Sequence, residues 1–108
     1  MNDHQRDDLH FAHAALAAAT DKARAAQHFA EAEEALCAAL DRRMFRAITT
    51  DRLKSAAAVE KYDRIHVLPQ FRRSEAARVA AARATDERWQ AAAAYDKALN
   101  RAAGRTTR

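Results

Sequence analysis

Two arginine clusters are the residues best suited to recognition: Arg42, Arg43, Arg46 and Arg52, then Arg72, Arg73, Arg78 and Arg83. A guanidinium is planar, always charged and able to aim two N–H groups at one phosphate or carboxylate. Such clusters therefore suit a polyanion or an acidic protein surface. Phe45 and Phe71 lie beside them, where a ring can stack on a nucleobase or plug the space under a connection. No recognition-helix or RNP-like motif accompanies the clusters.

The histidines offer less. His10 and His13 stand three apart, with Asp7 one turn and Asp3 two turns before His10, a spacing that helical metal sites use. No second segment supplies a matching Glu-x-x-His, so no metal ligand set and no cofactor is assigned. His28 and His66 stand alone. Cys37 sits in the apolar run Ala35 to Leu40 with no histidine near it in sequence, which reads as a small apolar residue on a buried face. No catalytic residue is assigned.

The segment Leu36 to Lys54 resembles the first helix of the all-helical chorismate mutases, with Leu36 and Leu40 ahead of Arg43 and Lys54 eleven residues beyond it. The resemblance implies a helical enzyme working through Arg43 and Lys54. Two departures weigh against it. The family's Asp-x-x-Arg-Glu stretch is missing, since Asp63 is followed by Arg64, Ile65 and His66, and Thr49 to Asp51 would interrupt the first helix before the lysine.

The elements that must position these residues follow from composition. Gly104 and Pro69 are the one glycine and the one proline, too few to build the tight turns of an antiparallel sheet. Alanine dominates, and it loses almost no side-chain entropy on becoming helical. The expectation is an all-α chain, a single domain over residues 1–108 shaped as an elongated three-helix hairpin or bundle with alanine-rich, coiled-coil-like packing.

Helices are expected at about 7–48, 51–66 and 74–103. Leu9, Leu16 and Ala23 repeat every seven residues, as do Ala12, Ala19 and Ala26, the mark of a heptad seam. Beyond Phe29 the larger residues Leu36, Leu40, Met44 and Ile48 step by four, which predicts a shift of that seam, with Thr20 and Asp21 as a stutter before it. Continuity through Thr20 is favoured. Thr49 to Asp51 read as the cap of the second helix, Val67 to Arg73 as the main connection around Pro69, and Ser74 as the third cap. Val79, Trp89, Tyr95 and Leu99 are placed near one side of the last helix, Gly104 ends it, and Arg105 to Arg108 are expected to fray.

Charge is asymmetric. Residues 1–41 carry eight acids and three bases, a balance of −5, whereas residues 42–108 carry seven acids and sixteen bases, a balance of +9. Three arrangements would use this: an acidic helix folded against a basic one, head-to-tail association of copies, or an external polyanion. The polar, acidic start Met1 to Leu9 is unlike a signal peptide, and charges interrupt every apolar run, so the expected setting is cytoplasmic, without a membrane.

A core of alanine methyls buries little apolar area, at roughly 25 cal/mol per Å². The chain is thus expected to complete its burial on another protein or on a second copy of itself. The reading favoured is a non-enzymatic interaction module: an adaptor, inhibitor or assembly component of the kind phages and mobile elements encode. Trp89, Tyr95 and Leu99 are its candidate apolar partner patch. The alternative is a nucleic-acid binder working through the arginine clusters.

Overall fold

The computed structural model describes residues 2–104, so the expected fraying of residues 105–108 lies outside the described residues. The described residues form two long helical runs and no strand. The first run is α1, Asp3–Thr49. The second joins α2, Ala56–Tyr62, through a π-helical turn, Asp63–Val67, to α3, Leu68–Ala102. The fold is all-α, as the scarcity of glycine and proline requires, but the second and third expected helices are one joined run.

The ends of α1 are set by side chains that the hydrophobic pattern does not reveal. Asn2 Oδ1 accepts from the Gln5 backbone N–H at 2.8 Å, and Gln5 Oε1 accepts from the Asn2 N–H at 3.2 Å. This capping box satisfies two orphan donors and starts the helix four residues before the expected Asp7. Thr20 does not break it: its hydroxyl donates to the Leu16 carbonyl at 2.8 Å, inside a continuous helix.

At the other end Asp51 adopts φ 59°, the left-handed region. Its N–H reaches the Ile48 carbonyl at 3.3 Å, and the Arg52 N–H reaches the Ala47 carbonyl at 3.0 Å. That pair of bonds is a Schellman closure with aspartate where glycine is usual. Thr49 and Thr50 turn their hydroxyls back to the Arg46 carbonyl at 3.1 and 2.7 Å. The expected cap at Thr49 to Asp51 is thus corrected: these residues finish α1. Ser55, extended at φ −135° and ψ 157°, caps α2 by accepting from the Ala58 N–H at 3.1 Å.

The expected connection at residues 67–73 is also corrected. Leu68 is helical, at φ −59° and ψ −42°, although it precedes Pro69. A proline inside a helix lacks an N–H and crowds the carbonyl four residues back. The chain meets this with the π-helical turn, in which the Leu68 N–H bonds to the Asp63 carbonyl one residue further away than α-geometry allows. Burial of Val67, Gln70 and Ser74 holds the run helical on both sides of the proline.

The chain divides into two compact units, one built from α1 up to Ala26 with α3 from Ala81 onward, the other from Gln27 to Ala80. Within the first, the α1 and α3 segments run antiparallel: His13 lies against Tyr95 with ring centroids 5.7 Å apart, and Lys22 Nζ meets Glu87 Oε2 at 2.7 Å. Its covered α1 positions are Gln5, Leu9, Ala12, Leu16, Ala19, Ala23 and Ala26, together with Thr20. Steps of four and three alternate, which is a heptad seam.

Within the second unit the same alternation continues through Ala30, Glu33, Cys37, Leu40, Met44 and Ala47. The expected shift of the seam after Phe29 is corrected. Leu36 is 54% exposed and Ile48 37%, while the smaller or polar Ala30, Glu33 and Cys37 hold the seam. Small side chains let backbones approach, so residue size does not rank burial here. On the second run the seam is Val67, at the end of the π-helical turn, with Gln70, Ser74 and Ala77 of α3 in this unit, then Ala81, Ala84, Ala91, Tyr95, Ala98 and Ala102 in the other, with Arg88 as its exposed member.

The second unit also carries a buried polar cluster. Gln70 Nε2 donates to the Glu33 carboxylate and, at 3.1 Å, to the Glu33 carbonyl. Ser74, expected as a cap, lies mid-helix at 3% exposure; its one hydroxyl proton is shared between the Glu33 and Gln70 carbonyls, each 3.0 Å away. Polar seam residues of this kind fix the register of paired helices, because a slip would leave each partner unbonded.

Candidate functional site

The core is made of alanine and the surface carries the bulk. Ala30, Ala77, Ala81 and Ala84 are at most 5% exposed, whereas Phe11 is 76%, Phe45 67%, Trp89 70% and Phe29 59% exposed. In an ordinary domain large apolar side chains are the ones removed from water. Here Val67 is buried and Leu9, Leu16, Leu40 and Met44 are partly covered, but the phenylalanines and the tryptophan remain in water.

At the C-terminal end of α1 this exposed bulk forms an open groove of about 550 Å³, lined by Asp41, Arg42, Met44, Phe45, Arg46 and Ile48. Asp41, Phe45 and Ile48 follow at steps of four and three, so they share one helix face. The lining surface is mostly apolar, and its charged residues are Arg42, Arg46 and Asp41. A second, more enclosed cavity of about 390 Å³ lies where the chain leaves α1, lined by Arg43, Arg46, Ala47, Arg52, Leu53 and Tyr62. The Schellman closure brings it about. By turning Arg52 and Leu53 back over Ala47, to whose carbonyl both N–H groups bond at 3.0 and 3.1 Å, it sets Arg52 beside the arginines of the last helical turns. Arg52 Nε is held by the Thr50 hydroxyl at 3.3 Å, and the Tyr62 ring is backed by His66 with centroids 4.6 Å apart.

Of the eight arginines singled out in the sequence, Arg42, Arg43, Arg46 and Arg52 line these two cavities. Arg72, Arg73, Arg78 and Arg83 line neither. Arg78 is engaged within its unit, its Nε 2.9 Å from Glu34 and its Nη1 3.0 Å from Glu75. The opposite charges of Lys22 with Glu87 and of Glu34 with Arg78 flank the seam on either side, which is where an acidic helix paired with a basic one would place them. All four side chains are about half exposed or more, so each pair contributes at most about 1 kcal/mol.

The apolar patch expected at Trp89, Tyr95 and Leu99 is divided: Leu99, four residues on from Tyr95, shares its helix face, and Trp89 does not. Tyr95 faces the seam against His13, and Trp89, six residues away, points roughly 120° from it. Leu99 is 38% exposed. Phe71, expected beside an arginine cluster, is 49% exposed and lines neither cavity. Among the described residues no three His, Cys, Asp or Glu side chains come together as metal ligands, and the His13 ring packs on Tyr95. Cys37 occupies a half-buried seam position. Lys54 lies beyond the end of α1, so it does not share a helix with Arg43.

Residues to which the sequence reading gave no site role complete the picture. Leu53 and Tyr62 are walls of the arginine cavity. Gln70 and Ser74, four apart and in step with Val67 and Ala77, were the available signal for the polar cluster with Glu33. Among the described residues no helix is long and apolar enough to cross a membrane. In comparisons with known proteins, no family model, curated protein or solved structure matches the chain.

Proposed function

We propose that this chain is a protein interaction module, not an enzyme, and that its groove at Met44, Phe45 and Ile48 receives an apolar segment of a partner protein flanked by acidic side chains. One observation carries the reading: alanines hold most of the buried seam positions while all four phenylalanines and the tryptophan face solvent. Moving an exposed phenylalanine out of water on a partner is worth up to roughly 1.5–3 kcal/mol. Several such residues in one interface are the usual source of its affinity. Arg42 and Arg46 outnumber Asp41 at the groove and so set the sign of the charge the partner must bring. An adaptor, inhibitor or assembly component from a phage or mobile element fits this description, acting in the cytoplasm.

The test is affinity capture from a native lysate with and without nuclease, at low and high salt, using the whole chain and a Phe45→Ser variant. The reading expects one defined protein that survives nuclease and salt, is lost from Phe45→Ser and is kept by Phe11→Ala. Capture of nucleic acid that salt removes, weakened by Arg72→Ala with Arg73→Ala, would instead establish the alternative reading of a nucleic-acid binder.

A further inference from the structure

We infer that the cavity enclosed by Arg43, Arg46 and Arg52 is a binding site for the phosphoryl group of a small molecule, with Leu53 and Tyr62 as the wall against which the rest of that molecule rests. Three arginines, Arg43, Arg46 and Arg52, line one cavity of about 390 Å³. Among the described residues none of them forms an ion pair. Like charges gathered without a counter-charge repel one another, and a bound dianion turns that repulsion into attraction.

Support of the helix end does not account for the set. Bases near a helix C-terminus do interact favourably with its dipole, which covers Arg43 and Arg46. It does not cover Arg52, which lies outside the helix and is brought to the cavity by the left-handed turn at Asp51. The carbonyls of Arg46, Ala47 and Ile48 are already engaged by the Thr49 and Thr50 hydroxyls and by the backbone N–H groups of residues 50–53. The arginines therefore have no capping task, and those carbonyls present no free lone-pair array to an anion.

Phosphate is the anion this geometry favours. Its three terminal oxygens can each take N–H donors from a different guanidinium, as a single carboxylate cannot. The cavity falls within the range of about 300–1,000 Å³ typical of small-molecule sites, so it holds more than a bare phosphate. Its remaining walls, Ala47, Leu53 and Tyr62, suit the face of a sugar or a base.

Isothermal titration of the whole chain with pyrophosphate, AMP and adenosine, at matched ionic strength, tests this. AMP and pyrophosphate are expected to bind and adenosine is not. Arg52→Ala, which leaves the helices untouched, should weaken AMP roughly ten- to hundredfold, whereas Arg83→Ala should leave it unchanged. Helical circular dichroism of Arg52→Ala confirms that the fold persists. The inference is overturned if chloride competes as well as pyrophosphate, if adenosine binds as well as AMP, or if Arg52→Ala and Arg83→Ala behave alike. It is also overturned if an oligonucleotide without a terminal phosphate binds more tightly than AMP.

Discussion

Replacing Phe11 by alanine and replacing Ala84 by leucine should have effects opposite to those expected in a conventional core. Both residues lie in the same compact unit, Phe11 at 76% and Ala84 at 2% exposure. Fully burying a phenylalanine is worth roughly 1.5–3 kcal/mol, so a side chain about one quarter covered contributes about 0.5 kcal/mol. Alanine recovers about the same amount through its higher helix propensity. Phe11→Ala should thus lie within about 0.5 kcal/mol of the parent. Ala84→Leu adds three carbons at a seam position with no space for them, and overpacking of this kind costs about 1–3 kcal/mol. Urea unfolding followed by helical circular dichroism, at two protein concentrations, reads both. A loss above about 2 kcal/mol for Phe11→Ala, together with a gain for Ala84→Leu, would show that the bulky residues and not the alanines form the core.

Gln70→Ala should destabilise by about 1–3 kcal/mol in the same assay, because it removes the side chain that binds Glu33 and leaves that carboxylate beside an apolar seam; an effect below about 0.5 kcal/mol would mean that the cluster is solvated. Asp51→Gly should stabilise by up to about 1 kcal/mol, since glycine adopts φ 59° without the strain a side chain brings, while Asp51→Val should destabilise by about 1 kcal/mol or more. Equal stabilities of the two variants would contradict the left-handed closure of α1.

What the sequence revealed and what it hid have distinct physical causes. The helical class was legible because scarce glycine and proline leave few ways to turn a chain, and Leu9, Leu16 and Ala23 marked the start of the seam correctly. The later seam was hidden because burial was inferred from size. Leu36 and Ile48 drew attention, yet Ala30, Glu33 and Cys37 occupy the covered positions. Pro69 marked an apparent boundary that the π-helical turn removes, an outcome of many weak helical preferences and of burial on both sides outweighing one local rule. Arg43, Arg46 and Arg52 were recognisable as a cluster from spacing alone. That they share a cavity with Tyr62 depends on the left-handed residue at 51, and aspartate signals such a turn far less clearly than glycine does.

The central claim is that this protein packs its seam mainly with alanine and keeps its phenylalanines and tryptophan on the surface, available to a partner. Trp89 is the one tryptophan and stands 70% exposed, so its fluorescence reports on that claim without labelling. At low concentration the emission should match that of a tryptophan fully in water, and acrylamide should quench it almost as efficiently as the free amino acid. Emission shifted to the blue and shielded from acrylamide at every concentration would place Trp89 in an interior and contradict the account.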